Sequence, residues 1–436
     1  MDSLKLIGSA PDRGTEVCVF PSLKELRIEN MPALEEFYGG ATQWLPCLKT
    51  LYVFYCPKLR VFPNLPCGLS KLSINNVSWV TLPQLCHDQV EASSSSSSLS
   101  SLEIYSCGDL VSLAEGLLLH PQLFTSLVEL VIQNCSELTH LPIRGFGKFT
   151  SLKEIKVKVC PKLRNSSIFG RFLPSLLHTL VIQHCDVLDP LPNKAPQDLD
   201  FLTRVIISGC ANIKSLPLAE VLGRWKALDH LLLKDCSQLE SLGGLQALPS
   251  LKHLEVIKCP SLVADDSSSL STSLAEHPSS STSLILDEIH IDDLSLLSTM
   301  PLKSISTREL HLKCCIDFQS SALEEWALKN RTLLQVLYIR DVSSWQFPLE
   351  ELQSLCCLQV LDVYHCRELQ SLPKLPSSLK ELWLCYCSSE LEERCLQDSG
   401  PDWPKIQHIP TVQIGNYDKE TLAAITLEEH NRRTRE

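Results

Sequence analysis

Apolar residues recur along this chain in a fixed phrase. Leu130 to Pro142 reads LVIQNCSELTHLP, and Leu180 to Pro192 reads LVIQHCDVLDPLP. In each, two aliphatic residues stand two apart, Leu130 with Ile132 and Leu180 with Ile182. On a β-strand that spacing puts both on one face and the intervening residue on the other. The phrase extends to L-x-x-L-x-L-x-x-C-x-x-L-x-x-L, with Ile, Val or Phe allowed for Leu. Its cysteine slot is filled by Met31, Cys56, Val77, Cys107, Cys135, Cys160, Cys185, Cys210, Cys236, Cys259, Leu294, Cys315, Val342, Cys366 and Cys387. That makes fifteen units, eleven with cysteine, repeating about every 25 residues.

One such strand cannot bury its apolar face alone, whereas stacked neighbours form a parallel sheet over a continuous core. A step of about 25 falls in the leucine-rich-repeat range. The pattern therefore predicts an α/β fold: a leucine-rich-repeat solenoid (horseshoe) with a parallel concave β-sheet and mostly irregular convex connections. Prolines after the last leucine (Pro142, Pro192, Pro217 and Pro373) discourage long helices there. Residues 1–20 are expected to form a partial repeat or uncapped edge, and 21–399 the solenoid, with serine-rich insertions near 92–101 and 265–283. Residues 400–415 form a closing segment, and 416–436 a charged tail that is a short helix or disordered.

Composition narrows the function. Hydrophobic residues make up 44% of the chain but aromatics only 6%, so leucine supplies most of the packing. A net charge of −12 argues against a nucleic-acid partner, since counterion release requires a basic surface. No apolar run approaches a membrane span of ~18 residues, and the first twenty residues lack the basic and apolar regions of a secretory signal. A cytoplasmic location is expected, with the N-x-S/T sequons at Asn76, Asn134, Asn165 and Asn330 read as chance. There the twenty cysteines are expected to be free thiols. The slot cysteines should point inward as small hydrophobes donating weakly to loop carbonyls. No paired C-x₂-C framework accompanies them, so no metal is expected.

Catalytic signatures are missing. The chain has no G-x-x-x-x-G-K-[ST], no G-x-S-x-G, no H-E-x-x-H and no kinase H-R-D set. Neither an enzyme nor a cofactor is expected, and carboxylate pairs such as Glu35-Glu36 and Asp292-Asp293 read as solvated ends. The residues alternating with the inward leucines form columns on the sheet, which in solenoids is a binding face. Tyr52, Phe54 and Tyr55, with Tyr105, should project near the start. Tyr338, Arg340, Tyr364, Trp383 and Tyr386 should cluster near the end. Aromatics and arginine dominate protein–protein hot spots, so both groups are candidate partner contacts. Between them Val131, Val181, Ile206 and Leu232 make an apolar stripe broken by Lys156, with His230 and His253 beside it. That stripe is read as ordinary strand composition.

The stretches FPSLKELRIENMPALEEF (Phe20 to Phe37), LESLGGLQALPSLKHLEVIKCPSL (Leu239 to Leu262) and LQSLPKLPSSLKELWLCYC (Leu369 to Cys387) resemble a known family. It is the leucine-rich-repeat region of plant intracellular nucleotide-binding leucine-rich-repeat (NLR) disease-resistance proteins, especially the coiled-coil class of cereals. The ending GPDWPKIQHIPTVQIG (Gly400 to Gly415) is also similar to that family's closing segment. The resemblance covers roughly residues 1–415. It implies recognition of pathogen effectors or of host proteins they alter, and control of a nucleotide-binding switch domain in cis or in trans. The family's coiled-coil and nucleotide-binding domains have no counterpart in these residues, so nucleotide binding is not carried over. A fragment, a truncated product or a stand-alone repeat protein are the readings of that departure. The alternatives are a stand-alone adaptor or a ubiquitin-ligase substrate receptor, for which about twenty residues before the repeats leave little room for an adaptor-binding domain. An extracellular receptor would need a signal peptide and capping cysteine pairs.

Overall fold

The structure is a computed structural model of the 436-residue chain. It describes residues 3–8, 20–38, 45–85, 97–113, 115–119, 124–141, 146–163, 173–185, 198–262, 284–298, 302, 305–313, 332–342 and 349–415. Cys315, residues 92–96 and 265–283 of the serine-rich insertions, and the charged tail lie outside them. The chain divides into two compact units, residues 1–251 with 258–262, and residues 252–257 with 263–436.

In the first unit β1 (Leu6–Ile7) pairs with β3 (Glu36–Phe37) as a two-stranded sheet. The remaining strands are β2 (Glu25–Glu29), β4 (Thr50–Cys56), β5 (Lys71–Val77), β6 (Ser101–Tyr105), β7 (Glu129–Gln133), β8 (Glu154–Lys158), β9 (Thr179–Gln183), β10 (Arg204–Ser208) and β11 (His230–Lys234). Each is parallel to the next, in the register that the repeat predicts: Leu130 faces Ile155, Ile155 faces Leu180, and Leu180 faces Val205. The second unit holds β12 (His253–Ile257), β13 (Ile285–Ile291), β14 (Ser306–Lys313), β15 (Val336–Arg340), β16 (Val360–Tyr364), β17 (Glu381–Cys385) and β18 (Thr411–Ile414), again parallel in chain order. β13 buries Leu286, Ile289 and Ile291 fully. The closing segment supplies β18.

The two-residue spacing has the consequence the sequence predicts. Leu130, Ile132, Leu180 and Ile182 are all fully buried. Within one unit, Leu127, Leu130, Ile132, Cys135, Leu138 and Leu141 pack into the same interior. The connections opposite the sheet are irregular: the described helices are α1 (Ala219–Leu222), α2 (Ser389–Arg394) and α3 (Trp403–Ile406), with short 3-10 turns elsewhere. Phe124, Phe146 and Phe149 fill the interior of the first unit on that side, with Phe149 5.9 Å from Phe146 and 6.4 Å from Phe124 between ring centroids.

Each described slot cysteine sits at the end of its strand or just past it, after a residue in the left-handed region. Asn134, Val159 and His184 have φ of 57°, 53° and 50°. This corner turns the chain inward and aims its N–H at the neighbouring repeat: Asn134 donates to Lys158 O at 3.0 Å, Val159 to Gln183 O and His184 to Ser208 O, both at 2.7 Å. The thiol then adds a weak second contact to a carbonyl that already accepts a backbone N–H, as Gln183 O does from Val159 and Tyr364 O from Asp341. Cys185 Sγ lies 3.4 Å from Gln183 O and 3.9 Å from Val157 O of the previous repeat, and Cys366 repeats the arrangement on Tyr364 O and Ile339 O. All described cysteines are free thiols. Burial pushes the Cys107 thiol up to about 11 and Cys366 to about 12, so both stay protonated donors.

Asparagine tolerates this corner, but a β-branched residue is strained there. Val159 is 41% exposed, so its side chain gains little from packing. Val159→Asn is expected to stabilise the chain by about 1 kcal/mol, measured as a shift in the urea midpoint at unchanged slope.

Candidate recognition face

On every strand the residues between the inward leucines face away from the core, and the register lines them up into rows. In the second unit the central row runs Glu255, His290, His311, Tyr338, Asp362, Trp383 and Gln413, one residue per strand. A flanking row carries Lys313, Arg340, Tyr364 and Cys385.

These side chains are stacked on one another. The His290 and His311 rings lie 3.9 Å apart at an interplanar angle of 12°, and His311 stacks on Tyr338 at 4.2 Å and 19°. The Arg340 guanidinium sits 5.2 Å from the Tyr338 ring centroid and reaches Asp362 Oδ2 at 3.3 Å. Burial pushes the Asp362 carboxyl up, and Arg340 only partly offsets it. Trp383 Nε1 donates to Glu381 Oε2 at 3.4 Å, and Tyr364 meets Tyr386 edge-on at 5.3 Å. The five residues singled out near the C-terminus thus fall on one stretch of sheet and its adjoining corner. Tyr338 differs in kind: it is 5% exposed, wedged between His311 and Arg340, and supports the row instead of projecting from it.

Near the chain start, Tyr52 and Phe54 share the open face of β4, 5.6 Å apart, with Arg27 stacked 4.3 Å over Tyr52. Tyr55 leaves that group because it occupies the left-handed corner at φ 56°, where it is half exposed. Tyr105 lies in the same row as Phe54, two strands along, with Asn75 between them. The mid-array stripe is also in register, Val181 beside Ile206 and Ile206 beside Leu232. The Lys156 interruption is paired with Glu154 at 2.6 Å and Glu129 at 3.5 Å. Away from this face, a cleft of about 440 Å³ is lined by Arg60, Trp79, Gln84 and Glu115 among others.

Residue-type reasoning alone missed a cluster built around Glu288. His290 Nε2 lies 2.6 Å and His311 Nε2 2.9 Å from Glu288 Oε1, while His253 Nδ1 takes Oε2 at 3.1 Å. His290 and His311 hold the Glu288 carboxyl well below the usual range against its burial. Burial would lower the His311 pKa, but Glu288 and Glu309 outweigh it and raise it. The signal was present in the repeat: counted back from slots 294 and 315, both histidines occupy the same position.

No family model matches the chain. Disease resistance RPP8-like protein 3 of Arabidopsis thaliana is 37% identical over 90 residues, 20% of this chain and 10% of that protein. Disease resistance protein RPP8 of the same plant is 37% identical over 89 residues, with the same coverage of each chain. Protein SUPPRESSOR OF npr1-1, CONSTITUTIVE 1, also of Arabidopsis thaliana, is 24% identical over 239 residues, 51% of this chain and 16% of that protein. The matches therefore span a small part of each relative's length. Among solved structures, the Leptospira interrogans leucine-rich-repeat protein LIC12759 is 19% identical, with a TM-score of 0.43 over 86% of this chain and 91% of that one. With its stacked parallel strands, inward leucines and irregular connections, the chain is a leucine-rich-repeat solenoid similar to the repeat region of plant NLR-type disease-resistance proteins.

Proposed function

We propose that the chain is a protein-recognition module in plant defence and that the open face of its second unit is the principal contact. The supporting observation is the row His311, Tyr338, Asp362 and Trp383 with Arg340 and Tyr364 beside it, an aromatic and arginine patch held by its own stacking and ion pair. Such preorganised side chains lose little entropy on binding and suit hot spots. The partner class is a pathogen effector or a host protein altered by one. A nucleotide-binding domain, in cis or in trans, is the second partner that the resemblance to NLR repeat regions implies. Tyr52, Phe54 and the exposed Tyr55 are a secondary contact. No helix among the described residues is long and apolar enough to cross a membrane. The reading is of a non-enzymatic protein acting in the cytoplasm, without a cofactor.

The test is affinity for a panel of purified effectors and resistance-protein nucleotide-binding domains. Trp383→Ala combined with Tyr364→Ala should raise Kd by roughly thirtyfold or more while the circular dichroism spectrum is kept. Unchanged affinity in the folded double variant would remove this face from consideration.

A further inference from the structure

We propose that Glu288, His290 and His311 form a site for a divalent transition-metal ion such as zinc, with one coordination position open to water or to a partner's side chain. Glu288 and His290 stand two apart on β13 and so share a face, and His311 is the cross-strand neighbour of His290. One carboxylate oxygen and two imidazole nitrogens therefore converge from two strands, all within 4.8 Å of one another.

A proton-only account of this cluster leaves a loose end. Glu288 Oε1 already accepts from His290. His311 Nε2 lies 2.9 Å from the same oxygen, yet it is buried without a hydrogen-bond partner because the approach is misaligned. A buried, unpartnered ring nitrogen is costly, and charging both stacked rings would set two cations face to face. A metal ion resolves both problems, since neutral imidazoles offer it their lone pairs and the carboxylate supplies charge. Tetrahedral ligation at about 2.0–2.1 Å places donor atoms about 3.3 Å apart. To admit an ion the present contacts of 2.6 and 2.9 Å must open and the two near-parallel rings must tilt so that their in-plane lone pairs converge.

The surroundings complete the pattern expected of a metal site. The second oxygen of Glu288 is held by His253 Nδ1, as ligating carboxylates usually are. Tyr338 braces the outer face of His311, and the nearest arginine on β15, Arg340, is engaged by Asp362. Three protein ligands and an open fourth position are what zinc tolerates best at an accessible site. The proposal rests on this geometry and not on the recognition reading, so either can fail without the other.

The experiment is titration of the purified chain with Zn²⁺ by calorimetry and with Co²⁺ by visible absorption. Cys47, Cys356 and Cys357 are exposed and are changed to serine beforehand to remove competing thiols. One ion per chain is expected, with Co²⁺ bands of nitrogen and oxygen ligation. Glu288→Gln, nearly isosteric, and His290→Ala, at a third-exposed side chain, should each abolish stoichiometric binding with the fold intact. His253→Ala should weaken it about tenfold. Three results would overturn the proposal: absence of binding, equal affinity in Glu288→Gln and His290→Ala, or thiolate charge-transfer bands.

Discussion

Asp402→Ala is expected to release the C-terminal end of the second unit at a cost of about 3–5 kcal/mol. The Asp402 side chain is 1% exposed and meets Arg394 Nε at 2.9 Å and Lys405 Nζ at 2.7 Å. Its Oδ2 also accepts the Leu372 backbone N–H at 3.0 Å, and Lys405 reaches the Leu372 carbonyl. One carboxylate thus joins α2, α3 and the last leucine turn. Ser388 adds a second tie, accepting from Leu391 N to cap α2 while donating to Leu369 O at 2.6 Å. Removing Asp402 strands two cations and a buried N–H together, so the loss exceeds that of an ordinary surface pair. Limited proteolysis should then cut between Cys387 and Thr411, and urea unfolding should show an earlier transition.

Acid should act at the same point. Burial raises the Asp402 pKa, but the hydrogen bonds from Arg394, Lys405 and Leu372 outweigh it, so the folded value lies below the ordinary 3.8. A depressed carboxylate stabilises the fold above its unfolded pKa and loses that contribution as pH falls through the folded value. Wild type should therefore lose closing-segment stability below about pH 3.8. Asp402→Asn should lack that acid-sensitive step.

Phe149→Ala is expected to cost about 3–5 kcal/mol in the first unit. Its ring is fully buried against Phe124 and Phe146. The connections there are irregular and few of the residues can shift together, so most of the ring's volume remains as a cavity. Phe149→Leu, which refills part of it, should recover more than half of the loss. Because solenoid repeats contact only their neighbours, the closing-segment transition should stay where it is in wild type. A loss confined to the closing segment would contradict the packing described.

The repeat was legible because two simple periods coincide in it. Spacing of two aims Leu130 and Ile132 inward, and a step of about 25 returns the pattern in register, so strand positions and slot-cysteine burial follow from sequence. Tyr364, Trp383 and Tyr386 were legible as neighbours for the same reason. Tyr338 was misjudged in exposure, because stacking between adjacent rows covers a residue that alternation alone aims at solvent. The Glu288 cluster escaped notice because its members are 35 and 21 residues apart and meet only once the register is applied. The Asp402 lock was not legible at all. It lies in the closing segment, where no repeat positions the charges that meet there.

The central claim is that alternate residues on each strand separate into a buried leucine face and an open recognition face. Hydroxyl-radical footprinting of the intact chain tests it most directly. Tyr52, Phe54, Tyr364 and Trp383 should be labelled, while Leu51, Val53, Leu361, Val363, Leu382 and Leu384, at most 2% exposed, should be protected. Comparable labelling of both sets, or labelling of the leucines in preference to the aromatics, would contradict it.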